Sequence, residues 1–378
     1  QGVAAATLPP GRACWNRVKM ALQEAAAKRR PIRRAKAVSA AAEQAKPAAI
    51  APRLLAWYRR TRRDLPWRAN RDPYRVWVSE IMLQQTQVER VKDYFQRFLA
   101  RFPMVESLAR APEREVLRLW EGLGYYRRAR QLHAAAKQIV ADHEGRFPRD
   151  VATLRQLPGI GRYTAGAIAS IAFGAREPIL EANSRRVFAR LVAHDQPVGG
   201  SGDEPLWEVA ASLVPAADPG GFNQAIMDLG AVVCTPTQPL CDRCPLAGSC
   251  AARATGRVAE IPRTPPRRAH QAVQEMALVV CHGDRVLVER RAAGSWWEGL
   301  WDFPVADAAA KAIRGDRRLA SIDYTVTHHR ITREVVSRRV KAPPATGRNR
   351  RLVAIPTLAR LAMTAPGRRI AQLLARGE

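Results

Sequence analysis

The chain has 378 residues, 47% of them apolar, which leaves room for two globular domains and an extension. Its 62 Lys and Arg against 34 Asp and Glu give a formal net charge of +28, which calls for a polyanionic partner, nucleic acid ahead of an anionic membrane surface. No apolar run reaches the roughly 18 residues of a membrane span, and the cysteine usage argues against a disulfide-stapled secreted fold, so the expected home is a reducing interior compartment.

Residues 1–50 hold ten basic residues with only Glu24 and Glu43 as acids, and show no strong apolar period after Trp15. The expectation is a disordered or loosely helical basic extension, although targeting peptides share this composition. Residues 51–258 read as an all-helical domain. Tyr74–Leu99 and Glu113–Trp120 carry apolar side chains at three- and four-residue spacing, and Gly122 and Gly124 stand where the second helix stops. Glu80 lies within the apolar run Val76–Leu83, where such neighbours raise a carboxyl pKa and keep it protonated near neutrality.

Leu157-Pro158-Gly159-Ile160-Gly161 joins helical stretches over 150–157 and 162–173. The glycines permit a tight connection, and free amides at the start of the second helix suit a phosphate, although an ordinary turn would look the same. Cys234, Cys241, Cys244 and Cys250 then form a C-x6-C-x2-C-x5-C run. The intervals suit one compact loop around an iron–sulfur cubane better than a zinc site or two disulfides, and Pro236, Pro239 and Pro245 stiffen that loop.

Residues 259–272, rich in proline and arginine, read as a linker. Beyond it the period changes to strands at Met276–Val280 and Arg285–Glu289, with His282-Gly283-Asp284 as the turn between them. Residues 273–378 therefore form a small mixed domain with a basic loop at 341–351 and a helical tail from 356. The fold class is multidomain: an all-α core with a cysteine loop, then a small α+β domain.

LPGIGRYTAGAIAS and the 6-2-5 cysteine loop resemble the endonuclease III superfamily of helix-hairpin-helix DNA base-excision glycosylases. VWVSEIMLQQTQV (76–88), GLGYYRRAR (122–130) and FNQAIMDLGAVVC (222–234) look like its adenine-excising (MutY-type) branch, and the C-terminal domain is Nudix-like. The resemblance implies excision of adenine mispaired with 8-oxoguanine or guanine in double-stranded DNA, by a monomer with a [4Fe-4S] cluster. It implies that Glu80 is the acid for adenine N7, and that Glu181 is the sugar-facing carboxylate, in place of the usual aspartate followed by glycine. Tyr163, where strand-cleaving relatives carry lysine, implies no lyase step; its hydroxyl is expected on the substrate or Glu181. Asn183 would order the site, and Arg185 and Arg186 would face phosphate. Arg63, Trp67 and Gln224 would hold adenine. Gln85 and Tyr125 would wedge into the duplex, Leu123 would contact the opposite base through its backbone, and Gly159 and Gly161 would approach phosphate. Arg243, beside Arg253 and Arg257 at the cysteine loop, would present cations to DNA.

Between Pro304 and Ala320 the only acids are Asp307 and Asp316, too few for the Mg²⁺ site of a pyrophosphate hydrolase, so the C-terminal domain is expected to bind without hydrolysing. Val326-Thr327-His328 stands where the family reads Phe-Ser-His, which implies lesion recognition by Thr327 and His328 without the aromatic anchor. The competing readings are a pyrimidine glycosylase of the endonuclease III kind and a DNA-binding or cluster-sensing protein that no longer cuts.

Overall fold

The computed structural model describes residues 47–263, 269–307 and 313–377. The expected basic extension lies outside the described residues as far as position 46. Helix α1 (Pro47–Thr61) starts inside that stretch, because Ile50, Leu54 and Tyr58 recur on one face and are buried. Among the described residues the helical core thus begins at 47.

The run expected over Tyr74–Leu99 is two helices, α2 (Pro73–Leu83) and α3 (Val88–Arg101). Asp72 caps α2 by accepting from the Tyr74 amide at 2.8 Å, with Pro73 at the first helical position. The break falls at Gln84–Gln87, where Gln85 has a φ of 56°. There follow α4 (Val105–Arg110), α5 (Glu113–Leu119), α6 (Arg127–His143) and the hairpin α7 (Val151–Leu154) and α8 (Arg162–Phe173). Next come α9 (Ala182–Leu191), α10 (Glu204–Leu213), α11 (Pro219–Val232) and the short α12 (Ala251–Ala254).

These helices bury two apolar clusters. One gathers α2 to α8 around Trp77, Phe95, Phe98 and Trp120. The other joins α1 to α9, α10 and α11 through Leu54, Phe188, Phe222 and Leu229. Tyr163 on α8 packs against both clusters, which puts a cleft between the two lobes.

The C-terminal domain is a seven-stranded sheet: β1 (Gln271–His282), β2 (Arg285–Arg290), β3 (Trp301–Asp302), β4 (Val305–Asp307), β5 (Arg317–Val326), β6 (His329–Arg339) and β7 (Arg350–Ala354). Its path is β3-β2-β1-β6-β5, with β4 on β1 and β7 on β2; β1 and β6 run parallel from Gln271↔His329 to Cys281↔Arg339. Helix α13 (Ala365–Ala375) closes the sheet's apolar face through Ile370. Two details differ from the expected linker: β1 already begins at Gln271, and Ile261 is buried in the helical core. The domains share apolar surface, since Leu300 is buried in the first helical cluster with Trp297 and Ala362 against it. Beside it, Glu121 accepts from Arg368 Nε at 2.5 Å and Nη2 at 3.0 Å.

Candidate active site

Helix α2 turns Trp77, Val78, Ile81 and Met82 into the core, and the same turn draws Glu80 in until it is only 5% exposed. Burial is the main cause that pushes its carboxyl up to about 7; the Tyr163 bond and Arg68 lower it, and the Glu181 charge raises it. The Tyr163 hydroxyl donates to Glu80 Oε2 at 2.5 Å and lies 3.4 Å from Met227 Sδ. This corrects the expectation that it would bond Glu181 or be left for substrate: α8 brings it under α2 first.

Glu181 lies at the N-terminus of α9. Its Oε2 accepts from the Asn183 amide and its Oε1 from the Ser184 amide, both at 2.8 Å, while Ser184 Oγ accepts from the Glu181 amide at 2.7 Å. This is a reciprocal capping box. The extra methylene relative to aspartate is thus spent curling back over the helix end. Burial raises the Glu181 pKa, against the lowering effect of the two amides and of Arg186 and Arg185. Arg186, expected at phosphate, is instead buried. It donates to the carbonyls of Cys234 at 2.7 Å and Gly230 at 2.7 Å, and to Asn183 Oδ1 at 2.9 Å. Arg185 is ion-paired with Asp203 at 2.7 Å rather than left open to phosphate.

Glu80, Tyr163, Glu181 and Asn183 line one cavity of about 440 Å³, together with Arg63, Trp67, Gln85 and Gln224. The sequence reading missed what fixes its far wall. Asp228, 1% exposed, accepts from Arg63 Nε at 2.8 Å and Nη2 at 2.5 Å, and from Arg68 Nη1 at 2.7 Å and Nη2 at 3.0 Å. Tyr58 donates to Gln224 Oε1 at 2.6 Å, which leaves the amide NH₂ of Gln224 for an acceptor in the cavity. A lone acid in the apolar run Phe222–Val233 was the available signal for Asp228, the same signal that singled out Glu80.

The four cysteines ring a small cavity of about 30 Å³ with Val233, Pro239 and Leu240, and none forms a disulfide. Among the described residues no group of three His, Cys, Asp or Glu is placed to hold a single metal ion. The fit to a larger, anionic group rests on Arg190. It is 2% exposed, has no carboxylate partner among the described residues, and directs Nη1 at Cys234 Sγ from 3.3 Å while its other donors hold the carbonyls of Thr235, Pro236 and Ile261. A guanidinium aimed at a half-buried sulfur is best matched by a thiolate, and ligation would keep Cys234 in that form. Arg243 is exposed, but Arg253 and Arg257 pair with Asp242 and with Glu260 and Asp195.

Over 262 residues the chain is 36% identical to the adenine DNA glycosylase of Buchnera aphidicola (Schizaphis graminum strain), an alignment covering 69% of this chain and 76% of the relative. The chain belongs to the adenine DNA glycosylase family. The HhH-GPD superfamily base excision DNA repair model matches residues 78–206, and a NUDIX domain model matches 275–373. The adenine DNA glycosylase of Rattus norvegicus is 47% identical over 225 residues, 56% of this chain; there the match spans only 44% of the relative's length. The human enzyme is 48% identical over 210 residues, 38% of its length. Among solved structures, a thermostable thymine-DNA glycosylase aligns with a TM-score of 0.50 and 32% identity, over 57% of this chain and 99% of that one.

The segments expected at DNA are formed by turns. Gly159 has a φ of +77°, where a Cβ would also strike Gln131 Cβ at 2.7 Å; Gly161, at the start of α8, has open space. Tyr125 is 50% exposed at a φ of 48°. Leu123, by contrast, is buried, its amide bonded to Trp120 O and its carbonyl to Arg128, so its backbone is engaged internally. Thr327 also has a left-handed φ, 54°, at the β5–β6 tip, where its hydroxyl bonds Val326 O and reaches both neighbouring histidines. The rings of His328 and His329 lie 4.1 Å apart. Thr327 faces Tyr125, Trp296 and Trp297 across an interdomain cavity of about 530 Å³. Three acids of this domain are tied up structurally: Asp316 with Arg338, and Asp302 and Glu275 with the fully buried Arg333.

Proposed function

We propose that this chain excises adenine opposite 8-oxoguanine or guanine by hydrolysing the N-glycosidic bond and leaves the abasic strand intact. The observation that carries the reading is the buried carboxyl of Glu80, hydrogen-bonded to Tyr163 in a cavity that also holds Glu181. A flipped adenine enters that cavity. Glu80 gives its proton to N7, the C1′–N9 electron pair leaves with the base, and water adds to C1′, surrendering a proton to the carboxylate pair. Glu181, held against the amides of α9, faces the cationic sugar, and Asn183 keeps it there. Gln224 and Arg63 hold the base edge beside Trp67. With a phenol at position 163 there is no amine in that place for a Schiff base.

Gln85 and Tyr125 fill and stack at the opened pair, Gly159 and Gly161 meet phosphate, and Thr327 and His328 read the opposite base. Cys234, Cys241, Cys244 and Cys250 would hold a [4Fe-4S] cluster, which locks the loop and supplies the charge that Arg190 faces. The protein acts as a monomer on chromosomal duplex DNA.

The test is a single-turnover assay on duplexes with adenine opposite 8-oxoguanine, adenine opposite guanine, or an oxidised pyrimidine. Base loss that shows as a break only after alkali is the expected result. A nick at the pyrimidine, or binding without base loss, would overturn the reading. Anaerobically purified protein should be brown; a colourless zinc form would remove the cluster.

A further inference from the structure

Arg128, in the first turn of α6, is buried, and no carboxylate among the described residues faces it. Its Nη1 donates to the carbonyls of Ile81 at 2.7 Å, Met82 at 3.0 Å and Gln84 at 2.5 Å, the open C-terminal end of α2. Its Nη2 reaches Thr86 Oγ1 at 3.2 Å, Leu123 O at 3.4 Å and Gly124 O at 3.2 Å. The guanidinium also lies over the rings of Trp120 and Tyr125, at 5.4 and 5.6 Å. Burial pulls its pKa down to about 10, so the protein gives up solvation to keep this cation here.

Together the two nitrogens serve two turns, with Nη2 reaching both. One carries Gln85, on the rim of the base cavity; the other carries Tyr125, on the wall of the interdomain cavity. Both residues have left-handed backbones, at φ 56° and 48°, that side chains other than glycine adopt only when the surroundings impose it. Arg128 holds the carbonyls directly before each of them.

We propose that Arg128 is a positioning residue that fastens the Gln84–Thr86 and Leu123–Tyr125 turns into one unit, so that the purine seated in the interdomain cavity sets the geometry of the base cavity. The fastening stands on the bonds themselves; the transmission rests on the proposed excision reaction. Lysine keeps the charge, but a single ammonium cannot span both turns.

Amide exchange of the free full-length protein tests the first part. Arg128→Lys should speed exchange at 84–86 and 123–125 together, on the order of tenfold, whereas Thr86→Val should loosen the first turn alone. Loosening of only one turn by Arg128→Lys overturns the fastening, whatever the protein excises. Single-turnover excision tests the second part. Arg128→Lys should lose on the order of tenfold in rate opposite 8-oxoguanine, and the rate ratio between 8-oxoguanine and guanine duplexes should collapse toward one. A uniform loss that keeps the wild-type ratio refutes the transmission and assigns Arg128 a purely structural part. Wild-type protein that excises adenine from neither duplex sinks the excision reading instead, and the exchange result still decides the fastening.

Discussion

Replacing Glu80 by glutamine separates what its burial costs from what it provides. The rise from 4.5 to about 7 corresponds to roughly 3 kcal/mol favouring the neutral acid. At pH 7 about half the molecules then hold the proton, against fewer than about one in a hundred for an unshifted glutamate. A proton bound more tightly in the folded state stabilises the fold below pH 4.5. That contribution is lost as pH climbs from 4.5 through about 7. Glutamine retains an acceptor for the Tyr163 hydroxyl and never ionises. Glu80→Gln should therefore melt higher than wild type at pH 8 and nearly equal to it at pH 5, the difference approaching but not exceeding about 3 kcal/mol.

Excision moves the other way. Loss of a general acid removes about 10²- to 10⁴-fold of rate, and the wild-type single-turnover rate should fall by a factor approaching ten per pH unit above about pH 7. The assay pairs single-turnover kinetics from pH 5.5 to 8.5 with thermal melts at the two ends. A glutamine variant within tenfold of wild-type rate, a rate flat to pH 8.5, or a variant less stable than wild type at pH 8 would each refute the assignment.

Tyr163→Phe removes the bond that lowers the Glu80 pKa, so the alkaline limb of the rate profile should move to higher pH; movement to lower pH would contradict the hydrogen-bond direction. Asp228→Asn leaves Arg63 and Arg68 without their buried anion and should cost about 3–5 kcal/mol in urea unfolding. Burial opposes the ionised form of Asp228, yet the two guanidiniums outweigh it and depress its pKa; the wild type should therefore lose this contribution as pH falls through the acid range, and the variant should lack that acid limb. A Cβ at Gly230 would stand 2.7 Å from Asn183 Cβ and 2.8 Å from its carbonyl oxygen, so Gly230→Ala should cost about 1–3 kcal/mol and lower the excision rate further than its melting shift explains. Equal losses in Gly230→Ala and in a distant core variant of matched stability would remove that link.

What could be read in the chain was what depends on local chemistry. Glu80 stood out because a lone carboxyl in an apolar helical run has few bland explanations, and the Leu157–Gly161 string because its glycines must lie where helices meet. The cysteines stood out by spacing. What could not be read was the identity of partners brought from far away. Arg68 and Asp228 are 160 positions apart, and Tyr58 and Gln224 166, so nothing local to either names the other. The helix break at Gln84–Gln87 was missed for the same reason. It contains no glycine or proline, and the turn that carries the left-handed Gln85 is held from outside, through the Gln84 carbonyl, by a guanidinium 44 positions beyond Gln84.

The arginines show the limit most sharply. A net charge of +28 invites every arginine near a DNA-facing motif to be assigned to phosphate. Arg186, Arg190 and Arg128 are instead buried and spend their donors on carbonyls. Each has up to five N–H groups in a fixed fork, a geometry that can join several carbonyls where lysine could not. Guanidiniums therefore do two separate jobs in this chain, solvated charge on the surface and multi-point fasteners inside. Composition counts both alike. The second group stands where loops without regular hydrogen bonding must be held in place: the cysteine loop for Arg190, the entry to α9 for Arg186, and the paired turns at the cavity mouths for Arg128. Lysine at those three positions should therefore damage function and stability together, whereas lysine at exposed Arg97 or Arg243 should leave both nearly unchanged.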